Sequence, residues 1–277
     1  MHLAPFLEVV YRAKTCRVKK DRAMLTHERK TYLLSILSET GSIVAKDESR
    51  SLGVSEDTIR RDLRELAKDG RLKRVHGGAV PSAPANAPFA RRIGIATPEK
   101  VEIGKRAAAM IETGQVVFVD GGTTAIQLAR SIPQNLNATI ITHSPNVALE
   151  LLNHANLEVE IVGGKLLRHS VVTSGAAAIA WLDRYRPDLC FIGATGLHPD
   201  QGITTGVSED AEVKRAIIAR SGSALILASS EKFAAVSSFE IASWQDVDGL
   251  IVAEDAKLKA IELFAHLGCE IHSGENS

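Results

Sequence analysis

Between Gly53 and Gly78 the chain reads GVSEDTIRRDLRELAKDGRLKRVHGG, and its basic groups are spaced to meet a polyanion. Ile59, Leu63 and Leu66 recur at i, i+4 and i+7, so they share one buried helical face. Thr58, Arg60, Arg61 and Arg64 are left on the outward side, where guanidinium groups reach phosphates or base edges. Ser55 precedes this helix as its N-cap, its hydroxyl accepting from the first free N–H groups and available to a phosphate as well. Glu56 and Asp57 follow at the positive end of the helix dipole. After Asp69 and Gly70, the run Arg71 to His76 alternates basic and apolar residues as a half-buried hairpin does, with Lys73, Arg74 and His76 as its polar members. A recognition helix followed by a basic wing is a DNA-binding arrangement.

A second chemistry is written in Asp120-Gly-Gly-Thr-Thr124, which lies between an apolar strand pattern and a helix pattern. Gly121 and Gly122 allow close backbone approach, while the hydroxyls of Thr123 and Thr124 join the helix amides as anion donors. Further donor-rich loops are Thr142–Asn146, Gly163–Lys165, Gly193–Gly196 and Ser229–Phe233. Phosphate calls for amides, hydroxyls and a cation, and Lys232 supplies the cation. The competing chemistry is proton transfer, with Asp120, Glu209, Asp210 and Glu212 as its available carboxylates. Asp210 and Glu212 are equally explained as charges in the first turn of a helix, and His143 and His169 read as loop or surface residues.

These groups must be positioned by two kinds of element. A helical pattern over His27–Thr40 places Leu33, Ile36, Leu37 and Thr40 on one face, Gly41 stops it, and Ile43–Leu52 is expected to form the next helix. Beyond residue 93, strand patterns at 116–120, 139–142, 159–162, 189–192, 224–228 and 250–253 alternate with helical patterns near 99–112, 124–131, 146–153, 175–184, 209–221 and 255–267. Such alternation implies a largely parallel sheet covered on both faces, with ligands at the carboxyl ends of its strands. Pro81–Pro88 carries three prolines without periodicity and reads as a semi-extended linker.

The 277 residues carry a formal net charge of zero, but this is a cancellation. Residues 1–80 hold a net +6 and residues 81–277 a net −6, as suits a DNA-binding module joined to an acidic partner domain. Cys16, Cys190 and Cys269 offer neither a disulfide framework nor a zinc spacing, and no apolar run reaches the length of a membrane span. Residues 1–23 lack the order of charge, apolar core and cleavage site of a signal peptide. They are read as disordered or as an over-called translation start, with Met24 as the alternative start, and the chain is expected to be cytoplasmic.

The stretch from Glu28 to Val80 resembles the DNA-binding domain of the DeoR family of bacterial transcriptional regulators, carried above all by TIRRDL at 58–63 and RVHGGAV at 74–80. The second half resembles the sensor domain of the same family through VDGGTTAIQLA, IVGGKL, FIGATGL, GITT, AEVKRAII and EKF. The resemblance implies an α+β winged helix-turn-helix over 26–81, with the helix-turn-helix proper at 43–62, then a linker at 82–93. It further implies an α/β sensor domain over 94–253, similar to ribose-5-phosphate isomerase and glucosamine-6-phosphate deaminase, and a C-terminal helix and tail at 254–277. The family senses phosphorylated sugars. Carried over by position, Gly121, Gly122, Thr123 and Thr124 form the phosphate loop, Lys232 is its cationic partner, and Asn146, Thr195 and Glu212 face the sugar. Two positions depart from the family pattern: Glu48 stands where an apolar residue is usual, and Ser229 where an aspartate is frequent. The isomerase-like enzymes carry acidic residues in the loop that is Gly193–Gly196 here, and those four residues supply no acid or base. The expectation is a repressor of carbohydrate-metabolism genes, released from double-stranded operator DNA by a phosphorylated sugar, with no catalytic residue, cofactor or metal. The alternative is a sugar-phosphate isomerase or deaminase carrying a DNA-binding domain. One winged domain makes too few contacts for operator-level affinity, so a homo-oligomer, dimer or higher, is expected.

Overall fold

The computed structural model describes residues 24–81, 83 and 87–274. The N-terminal extension 1–23, with Cys16, and residues 82 and 84–86 of the expected linker lie outside them.

The N-terminal domain runs α1 (Thr26–Thr40), β1 (Ile43–Val44), α2 (Ala45–Leu52), α3 (Glu56–Lys68), β2 (Leu72–Val75) and β3 (Gly78–Pro81). Its core joins Leu33 and Leu37 of α1 to Ile59, Leu63 and Leu66 of α3, with Ile43, Ala45, Leu72 and Ala79 closing it. Ile36 is only half-buried and Thr40 is exposed, so the buried stripe of α1 is narrower than its spacing implied. Ile43 and Val44 are not the start of a helix. They pair antiparallel with Ala79 and Gly78, so the wing has three strands in the order β1-β3-β2. Gly78 permits this: a Cβ there would stand 1.7 Å from the Ile43 carbonyl oxygen. The β-branched pair thus gains a ladder that its neighbours in sequence did not disclose. Between α1 and α3, buried Arg29 forms an ion pair with buried Asp62.

Past α4 (Phe89–Arg92), the second domain alternates helices and strands: α5 (Thr97–Ala108), β4 (Val116–Val119), α6 (Thr123–Ser131), β5 (Ala138–Thr142), α7 (Pro145–Glu150) and β6 (Leu157–Ile161). It continues through the hairpin β7 (Lys165–Leu167) and β8 (Val172–Ser174), α8 (Ala176–Leu182), β9 (Leu189–Gly193), β10 (Gly196–His198) and β11 (Gly202–Thr205). Then come α9 (Ser208–Ile218), β12 (Ser223–Leu227), β13 (Phe239–Ala242), β14 (Gly249–Ile251), α10 (Lys257–Phe264) and β15 (Glu270–His272). Seven strands in the order β15-β14-β12-β9-β4-β5-β6 form one parallel sheet. Apolar runs such as VVFV and SALIL bury both faces, because one core packs on each side of the sheet. Three strands, β10, β11 and β13, make a separate antiparallel sheet. Residues 254–277 hold more than a helix and tail: β15 extends the main sheet beside β14.

Candidate functional site

Helix α3 presents the basic surface. The Ser55 hydroxyl accepts from Thr58 N–H at its N-terminus, and Ile59, Leu63 and Leu66 anchor it from behind. Arg60, Arg61, Arg64, Arg74 and His76 are exposed, and Thr58 is half-buried with its hydroxyl against that of Ser55. Two of the expected contacts are already engaged. The Arg60 guanidinium donates to Glu56 at 2.6 Å, one turn back, and Lys73 Nζ donates to Ser238 Oγ of the second domain at 3.0 Å. On α2, Glu48 is half-buried with Oε2 lacking a partner; burial and Asp47 raise its carboxyl while a Tyr32 hydrogen bond opposes them.

The second site lies at the carboxyl ends of the parallel strands, where the chain leaves β4, β9 and β12. Gly121, Gly122, Thr123, Thr124, Thr195 and Lys232 line one cavity. Gly122 is the N-cap of α6 with φ 106°, a left-handed conformation suited to glycine, and no side chain caps the helix amides there. Those amides open toward the cavity as anion donors. Asn146 and Glu212 are not part of it. Asn146 lies on α7 beside a separate depression with Phe89 and Ile93, and Glu212 is exposed on α9. Instead α9 turns Asp210 and Lys214 into the cavity, since residues four apart share a helical face, while Glu212, about half a turn from each, points away.

Beneath the Gly121–Thr124 loop lies a buried polar network that the spacing of residues did not reveal. Lys214 Nζ sits 3.0 Å from both Asp120 and Asp210 and donates to the Gly193 carbonyl at 2.7 Å. Asp120 also accepts from Gly193 N–H at 2.7 Å and lies 2.6 Å from His143 Nε2, while Thr205 donates to Asp210. His143 lies in the loop after β5, one of its two expected places, but is fully buried there rather than at a surface, and its Nδ1 faces the Thr173 carbonyl. Burial alone would raise the Asp120 carboxyl, but Lys214 and His143 outweigh it and hold the group well below the usual carboxylate range. Burial likewise opposes charge on Lys214, yet Asp120 and Asp210 raise its pKa. Asp120, His143 and Asp210 bring their ligand atoms within 4.8 Å of one another, the grouping of a cation site, and here the Lys214 ammonium provides the positive charge.

Around the mouth, Lys232 is buried and donates to the Leu227 carbonyl at 2.8 Å, and burial lowers its pKa to about 8. Lys100 donates to the Ile95 carbonyl and lies 3.5 Å from Glu231, while Arg92 reaches in from α4. Ser229 is fully buried and its hydroxyl donates to Glu231. Lys214 stands within the string AEVKRAII but had no role assigned to it, and Lys100 and Arg92 carry no local motif; only the alternation of helices and strands that closes the sheet could have grouped them.

The family model for the DeoR C-terminal sensor domain matches residues 95–254, and that for the DeoR-like helix-turn-helix domain matches residues 29–83. The HTH-type transcriptional regulator GlpR of Haloferax volcanii is 34% identical over 81% of this chain and 89% of its own length. The glycerol-3-phosphate regulon repressor of Escherichia coli K12 is 29% identical over 80% of this chain and 89% of its own length. Among solved structures, ribose 5-phosphate isomerase A from Methanocaldococcus jannaschii is similar at 18% identity and TM-score 0.36, over 48% of this chain and 53% of that one.

Proposed function

The chain belongs to the DeoR family of transcriptional regulators, and on that premise we propose that it represses carbohydrate-metabolism genes and leaves its operator when a phosphorylated sugar binds. The carrying observation is the uncapped N-terminus of α6, which opens into a cavity lined by Thr123, Thr124, Arg92 and Lys232. A phosphate there meets free amides, hydroxyls and positive charge together. On the DNA side, Arg61 and Arg64 on α3 and Arg74 and His76 on the wing offer exposed donors, Ser55 caps α3, and Thr58, Arg60 and Lys73 adjoin them. Thr195 is the sugar-facing residue retained from the sequence expectation, and Asp210 takes the place given to Glu212.

The protein acts as a binder rather than an enzyme. Asp120 is engaged through both oxygens by Lys214, His143 and the Gly193 amide, and Asp210 through Oδ2 by Lys214 and Thr205, so both carboxylates are held in ion pairs that a general base would have to break. It works as a homo-oligomer on paired half-sites, which supplies the contacts one winged domain lacks. Among the described residues no helix is long and apolar enough to cross a membrane.

A thermal-shift screen of the full chain against phosphorylated sugars and their unphosphorylated counterparts tests this. Stabilisation by one or a few phosphorylated members, together with operator release by the same compounds, is the expected result. Equal stabilisation by the parent sugars would remove phosphate recognition from the cavity.

A further inference from the structure

Among the described residues the cavity contains a cation that no acceptor satisfies. Lys214 is held by Asp120 and Asp210, Lys100 by Glu231 and a carbonyl, and Lys232 by the Leu227 carbonyl. Among the described residues the Arg92 side chain has no hydrogen-bond or ion-pair partner, and its Nε is buried without one. Its Nη1 lies 3.6 Å from where a Cβ on Gly122 would stand, directly over the phosphate loop. Burial lowers the Arg92 pKa, while Asp210 and Asp120, neither of them bonded to it, pull the other way. A guanidinium partly withdrawn from water, with its Nε buried and unpaired, carries a cost that is relieved when an anion enters.

We propose that Arg92 is the principal anion ligand of the cavity, presenting its planar fork to two oxygens of the effector's phosphate while the α6 amides hold the opposite side. The proposal rests on the sugar-phosphate reading of this cavity. Arginine suits the task because its donors are fixed in a plane that matches phosphate geometry, whereas a lysine offers one point of charge. The placement adds a consequence. Arg92 belongs to α4, between the two family-matched domains, and α4 is docked by Phe89 N–H on the His169 carbonyl at 2.9 Å. The guanidinium lies 5.8 Å from the Phe89 ring centre, a cation–π contact within α4. A phosphate clasped between Arg92 and the loop of α6 therefore fixes the connecting helix against the sensor domain, and ligand occupancy is read by the segment that leads to the winged domain.

The test is titration of the full chain with inorganic phosphate, against chloride at matched ionic strength, followed by thermal shift and calorimetry. Wild type is expected to bind. Arg92→Ala should weaken phosphate roughly 10- to 100-fold, and Arg92→Lys, with charge but no fork, should fall between. Arg91→Ala, at an exposed neighbouring position, should match wild type. If Arg92→Ala loses its fold, the comparison of Arg92→Lys with wild type still decides, since a fork-dependent site distinguishes them. Wild-type affinity retained in both Arg92 variants would overturn the assignment of Arg92 and leave the cavity reading standing. Failure of wild type to bind phosphate, or any sugar phosphate, would overturn both.

Discussion

Lys214 shows how single residues set the chemistry of this protein. Its ammonium lies 3.0 Å from each of two buried carboxylates. Removing it leaves Asp120 and Asp210 uncompensated in a place water does not reach, so Lys214→Met should cost about 3–5 kcal/mol in denaturant unfolding. A loss below about 1 kcal/mol would mean that the network rearranges around other donors. Lys232 gives a titration with two opposite signs. Its folded pKa is near 8, below the ordinary lysine range, so between these limits the unfolded chain binds more protons and ligand-free stability rises with pH. Anion binding needs the ammonium, so affinity for a sugar phosphate should fall as pH passes about 8, by at most about tenfold per unit. Lys232→Arg, whose charge persists, should flatten that fall. Calorimetric affinities that stay level between about pH 7 and pH 9 would remove Lys232 from the site. That Gly121–Thr124 open a cavity at a strand end was legible in the sequence, because a glycine pair after an apolar strand has a local physical meaning, and Lys232 lines the same cavity. The meeting of Asp210, Lys214 and Arg92 in that cavity was not: Asp210 read only as a carboxylate or a first-turn charge, Lys214 and Arg92 as ordinary cations until the sheet closes, and Glu212 stands half a helical turn from the face that lines it.

At the level of elements, α3 was legible from cap to last turn because its apolar spacing, its N-cap and its acidic start all point the same way. The strand β1 was not: two residues give no period, and their partner lies thirty-odd positions away across Gly78. Ser55→Ala should cost the winged domain about 1 kcal/mol, seen as a lower melting midpoint, because one first-turn N–H loses its acceptor. No change would show that Thr58 or water satisfies the end of the helix equally well. The arginine face has a second measure. Arg60 is partly neutralised by Glu56, whereas Arg61 and Arg64 make no such short pair among the described residues. Arg61→Ala with Arg64→Ala should weaken operator binding and, if both meet phosphates, lower the slope of log affinity against log salt by up to about two. A changed sequence preference with little change in slope would assign them to base edges instead. Binding equal to wild type would show that α3 does not face DNA.

The whole molecule joins these two surfaces through a short stretch of chain. Glu231 and Lys232 line the cavity, and within the next six residues Val236 N–H donates to the Pro81 carbonyl and Ser238 receives Lys73 of the wing. A phosphate that engages Lys232 therefore acts on the segment that touches the winged domain, and Arg92 acts on the connection between domains. Such a linkage is reciprocal by thermodynamic necessity. If a sugar phosphate loosens operator binding by about 10- to 100-fold, worth about 1.4–2.8 kcal/mol, the operator must loosen sugar-phosphate binding by the same factor. Calorimetry of the effector into the protein, alone and saturated with operator duplex, measures one side, and operator titration with and without effector measures the other. Ser238→Ala frees Lys73 from its bond to the second domain, and should shrink both factors together if that contact transmits the change. Effector affinity unaltered by operator would show that the cavity and the recognition helix share a chain without sharing a switch.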